Sequence, residues 1–210
     1  SLDEDGCLMY HHREFEYDSS VIRRFDESFE SQGGLKLLQG NLGHAVVKIS
    51  SVQEAERYIK APAKVFHSQS EIKAAFAAGQ FDHDCVVVLR FQGPAANGMP
   101  ELHGLAPIFE AVRSFGSKIA LLTDGRLSGA SGSILSAIHL SPEAASKGPI
   151  SFIQDGDIIT IDSNQGIVSI QADFTGREPA IGPTFEPGLG RELFSVFRQN
   201  VSSSEFGGNS

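Results

Sequence analysis

Two apolar runs in the middle of the chain indicate its architecture. Residues 85–91 and 118–123 are nearly continuous runs of aliphatic residues, a pattern typical of strands buried on both faces. Between them, residues 105–115 carry apolar side chains at helical spacing. This segment is therefore predicted to be a strand–helix–strand crossover whose two strands run parallel.

Weaker signals predict further helices on both sides of this unit. Ser68 and Glu71 form a capping box before an apolar run that stops at Gly79, which predicts a short helix. Ser141, followed by proline, is the expected N-cap of another short helix. Residues 191–201 are amphipathic and predict a last helix.

The second half of the chain is expected to be rich in strands. The predicted strands are residues 46–49, 149–153, 158–162 and 166–170, with turns at 155–157 and 164–166. Together with the crossover unit, this pattern predicts a mixed α/β fold with a barrel-like β body and flanking helices.

Both ends of the chain differ from this central part. The first 30 residues contain nine acidic and three basic side chains and no regular periodicity. Residues 1–32 are therefore predicted to be an acidic arm or interdomain linker. Residues 33–201 are the expected folded domain, and residues 202–210 are the expected disordered tail.

Composition and charge exclude several classes of protein. The chain has 210 residues, of which 40% are hydrophobic and 20% charged, as in ordinary globular domains. Its net charge of −9 has the wrong sign for general nucleic-acid binding. No apolar stretch approaches the ~18 residues that a membrane helix needs, and the acidic start is unlike a signal peptide. We expect neither a nucleic-acid nor a membrane partner.

The cysteine content adds a redox argument. Cys7 and Cys85 are the only cysteines. Two distant thiols cannot form a disulfide framework, a four-cysteine zinc site or a self-contained iron–sulfur site. We therefore expect a reducing, cytoplasmic setting.

Two glycine-rich loops, residues 90–101 and 123–132, follow the two buried strands. Open α/β sheets bind ligands at this end of their strands, and glycine lets the backbone approach an anion. Neither loop matches a phosphate-loop or dinucleotide fingerprint. Spacing alone leaves ordinary turns and a binding site equally open.

Several side chains in and near these loops could carry chemistry. Glu101 is either a helix N-terminal charge or a Mg²⁺ ligand. Ser128 is either the N-cap of a following helix or a serine whose deprotonated form is stabilised by amide dipoles and a cation. His103 and His139 could act as bases, although lone histidines are more often structural. Asp124 is expected to fix its own turn through an Asx-type hydrogen bond.

Four segments resemble a known protein family. They are GLKLLQGNLGHAVVKIS (34–50), VVVLRFQGPAANGMPELHGL (86–105), LLTDGRLSGASG (121–132) and HLSPEA (139–144). In this order they are similar to the C-terminal domain of the dihydroxy-acid dehydratase/phosphogluconate dehydratase family over residues 33–172. The combination of G-M-x-E with D-G-R-x-S-G is specific to this family. The residues of these segments are more similar to the sugar-acid branch than to the amino-acid-pathway branch.

This resemblance implies a swivelling β/β/α fold and a hydro-lyase that converts 6-phospho-D-gluconate to its 2-keto-3-deoxy acid in the Entner–Doudoroff pathway. It implies an iron–sulfur cluster ([4Fe–4S] or [2Fe–2S]) and, in several members, Mg²⁺. Glu101 matches the family's Mg²⁺ ligand, and Ser128 matches the base that takes the C2 proton. Arg126 and Asn41 are expected to line the substrate pocket.

The resemblance also implies partners. The family's cluster cysteines belong to an N-terminal dehydratase domain, and Cys7 and Cys85 match no motif of it. We therefore expect a C-terminal domain that works with that N-terminal domain in a homodimer and that alone is inactive and free of cluster. Arg126, Arg90 and Lys48 are the expected candidates for holding the substrate phosphate.

Two alternatives remain open at this point. The chain could belong to a dehydratase for another sugar acid or a 2,3-dihydroxy acid, or it could be a non-catalytic binding domain on the same fold. Whether Glu101 and Ser128 face one cleft separates a catalytic domain from a binding domain.

Overall fold

The computed structural model describes residues 4–8, 18–29, 33–128, 133–184, 188, 190 and 192–209. The chain divides into two compact units, residues 1–32 and 33–210. In the first unit the described residues are all exposed and include one 3₁₀ turn, Phe25–Glu27. The candidate site residues Asn41, Glu101, Arg126 and Ser128 all belong to the second unit.

The strands of the second unit close into a single barrel. They are β1 (Leu35–Gly40), β2 (Gly43–Lys48), β3 (Tyr58–Phe66), β4 (Cys85–Leu89), β5 (Ile119–Thr123), β6 (Ser136–Ser141), β7 (Ile158–Asp162) and β8 (Ile167–Gln171). Their order around the barrel is β1-β2-β6-β5-β4-β3-β7-β8. Strands β3 to β6 run parallel, and the hairpins β1–β2 and β7–β8 are antiparallel. The predicted mixed α/β fold with a barrel-like body is confirmed.

Short helices flank the barrel. The α-helices within the described residues are α1 (Gln69–Ala77), α2 (Pro94–Asn97), α3 (Ala106–Ser114) and α4 (Ser195–Asn200). The predicted capping box begins α1, because the Ser68 hydroxyl accepts the Glu71 N–H at 3.3 Å. The Glu71 carboxylate reaches one residue further back than expected and accepts the His67 N–H at 2.8 Å.

The crossover unit is confirmed, and its apolar runs have a structural cause. Along β4, Val86 and Val88 point into the barrel core. The alternate residues Cys85, Val87 and Leu89 pack in a second core with α1 and α3. Strand β5 divides its residues between the two cores in the same way. Because both faces of these parallel strands are covered, every position except Thr123 at the end of β5 is apolar.

The structure corrects the predicted strand at residues 149–153. Pro149–Phe152 is a 3₁₀ helix, and β1 and β3 are strands that the sequence analysis missed. Proline at the first position favours a helical turn, and the Ser151 hydroxyl donates to the Gly148 carbonyl at 2.7 Å, which stabilises the turn locally.

A helix after Ser128 was one of two alternatives for that residue. Residues 129–132 lie outside the described residues, and the apolar run beyond them leads into strand β6 instead of a helix. Ser141 ends β6 instead of capping a helix; the next turn is a 3₁₀ helix, Ala144–Ser146, with Glu143 at its N-cap. The last helix, α4, is shorter than predicted and begins at Ser195.

Residues 202–209, expected to be a disordered tail, contain a 3₁₀ helix, Ser204–Phe206. The Ser204 hydroxyl donates to the His139 carbonyl at 3.2 Å, and the Glu205 carboxylate lies 2.7 Å from Nδ1 of His44. Among the residues that the structure describes, no helix has the length and apolar character of a membrane span.

Candidate active site

The candidate residues gather at one end of the barrel. Because β3 to β6 run parallel, the loops that follow them all emerge at the same end. The β1–β2 turn at Asn41 lies there as well, since β2 is antiparallel to β6 and His44 pairs with Ser141. We name this the loop end of the barrel.

Glu101 joins the two glycine-rich loops. Its backbone forms a parallel β-bridge with Arg126, and its Oε1 accepts the N–H groups of His103 at 2.9 Å and Ser128 at 3.1 Å. Oε2 lies 3.5 Å from Nη1 of Arg126, whose Nε donates to the Met99 carbonyl at 2.7 Å. The structure thus brings Glu101, Arg126 and the backbone of Ser128 together at the loop end.

This cluster is accessible to a ligand. The side chain of Glu101 is 41% exposed and that of Arg126 is 50% exposed. An ion pair in such a setting contributes about 0–1 kcal/mol to stability. Breaking the contact between the guanidinium and the Glu101 carboxylate would therefore cost little folding free energy.

Asn41 lies at the loop end but is held by another strand. Its Oδ1 accepts the Ile170 N–H and its Nδ2 donates to the Ile170 carbonyl, both at 2.9 Å. The close approach depends on Gly40, where a Cβ would lie 1.8 Å from the Val168 carbonyl oxygen. The hydrogen bonds of the Asn41 amide go to β8 and not to the Glu101 cluster.

Asp124 does not form the predicted Asx turn. Its buried carboxylate accepts the N–H groups of Phe91 at 3.1 Å, Gln92 at 2.8 Å and Ala144 at 3.0 Å. Burial raises the pKa of Asp124 to about 6, against the opposing effect of these hydrogen bonds. Its own turn is instead closed by the Thr123 hydroxyl, which accepts the Gly125 N–H at 3.0 Å.

Arg90 is not available as a phosphate ligand. Its guanidinium is buried, and Nη1 donates to the carbonyls of Ser151 and Ile153, each at 3.0 Å, and of Ile150 at 3.4 Å. Nε donates to Nε2 of His67 at 3.0 Å. Burial and then the Arg90 charge lower the pKa of His67, which keeps that nitrogen an acceptor. Arg90 therefore holds the backbone of the 3₁₀ helix.

Glu143 is a second buried carboxylate that sequence reasoning missed. It accepts the N–H groups of Ala95 at 2.9 Å and Ala96 at 3.1 Å, at the start of α2. Gly93 makes room for it, since a Cβ there would lie 2.2 Å from the carboxylate. The sequence signal was a glutamate directly after Ser-Pro, but nothing in the sequence pointed to its partners.

The two candidate histidines are placed differently. His103 is exposed at the start of a 3₁₀ turn, and its backbone N–H contacts Glu101. His139 is half-buried at a bulge in β6 with φ of 55°, and its N–H donates to the Gly125 carbonyl at 2.8 Å. Burial, followed by the Arg126 charge, lowers the pKa of His139 and favours a neutral imidazole.

Most of the chain matches one known protein family. Residues 20–208 match the family described as dihydroxy-acid/6-phosphogluconate dehydratase, C-terminal. The chain belongs to this family. The resemblance seen in the glycine-rich loops is therefore confirmed over nearly the whole chain.

Named relatives agree with the family assignment. A phosphogluconate dehydratase of Rhizobium meliloti is 46% identical over 197 residues, covering 91% of this chain and 32% of that protein. The Escherichia coli K12 phosphogluconate dehydratase is 49% identical over 195 residues, covering 90% and 32%. That of Helicobacter pylori J99 is 47% identical over 204 residues, covering 92% and 33%. The chain spans about a third of the length of these curated relatives.

Members of this family generally depend on an iron–sulfur cluster, and the described cysteines do not fit one. Cys85 is buried in β4, and burial raises its pKa to about 11, which disfavours the thiolate that binds iron. Cys7 is exposed in the first unit. The described part of the chain also contains no group of three His, Cys, Asp or Glu side chains placed to hold a metal.

A magnesium ion fits these residues better than a cluster does. Mg²⁺ commonly takes one or two carboxylates and completes its shell with water and substrate oxygens. Glu101 is an exposed carboxylate of this kind, with Oε2 turned to the solvent-accessible Arg126. Glu101 is thus the candidate Mg²⁺ ligand among the residues of the loop end that the structure describes.

Proposed function

We propose that the chain is the C-terminal domain of a cytoplasmic hydro-lyase that removes water from 6-phospho-D-gluconate and yields its 2-keto-3-deoxy acid. The observation that carries this proposal is the convergence of Glu101, Arg126 and Ser128 at one accessible point. The names of the relatives supply the substrate class.

The reaction needs a base and an anion site. A proton leaves C2, hydroxide leaves C3 and takes up a proton as water, and the resulting enol becomes the ketone, so one water is lost overall. Ser128 is the proposed base, and Arg126, two residues before it in the chain, is proposed as the cation that favours its deprotonated form. A planar guanidinium also suits the substrate carboxylate, which can accept two parallel hydrogen bonds.

Other parts of the proposed machinery rest on the family likeness alone. They are an iron–sulfur cluster, an N-terminal dehydratase domain that holds it, and a homodimer. Mg²⁺ held by Glu101 would neutralise charge on the substrate carboxylate. Asn41 is proposed to contact substrate, which would require its amide to leave the backbone of Ile170. The chain alone is expected to be inactive.

The substrate proposal predicts a preference for a phosphorylated acid. One charge-assisted hydrogen bond to phosphate contributes roughly 1.5–3 kcal/mol, so removing the phosphate should lower kcat/KM by at least about tenfold. The measurement compares 6-phosphogluconate, gluconate and a branched 2,3-dihydroxy acid in the full-length hydro-lyase. Equal values for the first two, or a higher value for the third, would reject this substrate.

Glu101→Gln is expected to weaken Mg²⁺ binding. The amide keeps a carbonyl oxygen for the N–H groups of His103 and Ser128 but removes the negative charge that a hard cation prefers. Changes around metal sites typically cost about 10–100-fold in affinity, and a lost ligand should cost at least that. Calorimetric titration of the wild-type chain and of each variant with Mg²⁺ gives the Kd for the ion. Glu110→Gln, which alters a carboxylate bonded to Ser133, is the control and should leave it unchanged.

A further inference from the structure

Asp124 connects three backbone segments at the loop end. Its Oδ1 accepts the Gln92 N–H, and its Oδ2 accepts the N–H groups of Phe91 and Ala144. The first two belong to the loop after β4 and the third to the turn after β6, whereas Asp124 itself follows β5. One fully buried carboxylate therefore fixes the ends of three parallel strands.

The same carboxylate lies directly before the candidate site. Two residues after Asp124, Arg126 forms the β-bridge with Glu101, and Ser128 then donates its N–H to the Glu101 carboxylate. Glu101 belongs to the loop after β4. Near the start of that loop, Phe91 has a left-handed φ of 64°. A non-glycine residue keeps this conformation only where its surroundings enforce it, and the Asp124 hydrogen bond does so here.

We propose that Asp124 is a positioning residue, whose carboxylate sets the register between the two glycine-rich loops and so holds Ser128 against Glu101. Its relevance to dehydration rests on the proposed function, but the contacts themselves do not. An asparagine cannot replace it, because its NH₂ group cannot accept a hydrogen bond and would face a backbone donor, whereas a protonated carboxyl keeps acceptor capacity on both oxygens.

Two charged groups face Asp124. Glu143, on the turn after β6, adds to the rise in the pKa of Asp124, and Arg90, at the end of β4, is the opposing cation. The pKa of about 6 in the closed site lies above the usual 3.8, so the closed site binds the proton more tightly than an opened, hydrated one. Lower pH therefore favours the closed site, and a rise of pH through about 6 favours opening.

Amide hydrogen exchange of the 210-residue chain, followed residue by residue by NMR, tests this role. In Asp124→Asn, the protection of the Ser128 and His103 amides should fall at least about tenfold, the low end for losing a hydrogen bond to a charged acceptor. Asp162→Asn is the matched control. Asp162 is a buried carboxylate at the opposite end of the barrel and accepts the N–H groups of Asn164 and Gln165, so only those two should lose protection.

The pH profile separates positioning from general stability. In the wild-type chain, protection at Ser128, corrected for the intrinsic exchange rate, should decrease about tenfold between about pH 5 and pH 8. In Asp124→Asn this dependence should vanish. Retained protection at Ser128 and His103 in the variant, or an unchanged pH midpoint, would overturn the proposal.

A folding defect in the variant leaves the proposal testable. The carboxyl carbon of Asp124 and the Ser128 amide in the wild-type chain should then titrate with one shared midpoint near 6, and separate midpoints would overturn the proposal. Because no step uses turnover, failure here would leave the hydro-lyase proposal standing.

Discussion

Ser128→Ala in the proposed full-length hydro-lyase is expected to abolish exchange of the substrate C2 proton and to lower kcat by about 10²–10⁴-fold, the usual contribution of a positioned base. The contact with Glu101 should survive, because Ser128 makes it through its backbone N–H and alanine keeps that group. The change therefore removes the hydroxyl while the register of the two loops is maintained.

NMR in D₂O follows the exchange of the substrate C2 proton, and steady-state assays give kcat. Both measure the loss of the base separately from substrate binding. Ser133→Ala is the control, since Ser133 borders the same loop but its hydroxyl donates to Glu110 at 3.1 Å. If Ser128→Ala keeps normal exchange, Ser128 is only a structural residue. His139, with its lowered pKa and its backbone hydrogen bond to Gly125, would then be the next candidate base.

The sequence predicted best the elements whose pattern reflects local packing. The crossover from β4 through α3 to β5 was correct because both faces of each strand meet apolar neighbours, which leaves an unbroken apolar run. The hairpin β7–β8 was correct because its turn residues are local signals. The loops that carry Glu101 and Ser128 come into contact because they follow adjacent parallel strands.

Features that depend on long-range closure could not be predicted in this way. Strand β3 contains Pro62 and two lysines. It is a strand because Ile59 and Ala61 face the barrel core and the backbone pairs with β7 about 100 residues later. The partners of Asp124 and Glu143 are likewise distant in sequence. A buried carboxylate and a solvated one look the same in the sequence, so the roles of these acids appear only in the folded chain.

Arg90→Ala is expected to lower the free energy of unfolding by at least about 3 kcal/mol, because removing the partner of a buried polar group costs about 1–3 kcal/mol for each group left unsatisfied. The groups concerned are the carbonyls of Ile150, Ser151 and Ile153. At roughly 2–4 °C per kcal/mol for a chain of this size, Tm should fall by about 6–12 °C. Urea and thermal unfolding of the chain measure both quantities.

Arg126→Ala is the matched comparison within the loop end. Its side chain is half-exposed, so its loss should cost about 1 kcal/mol or less in stability. In the proposed full-length hydro-lyase the order should reverse: Arg126→Ala should weaken substrate binding about 10-fold or more, since the proposed charge-assisted contact with the substrate is lost. An equally small stability loss in Arg90→Ala would mean that water satisfies its carbonyls. At this end of the barrel Arg90 therefore holds the backbone, whereas Arg126 is the arginine proposed to bind substrate.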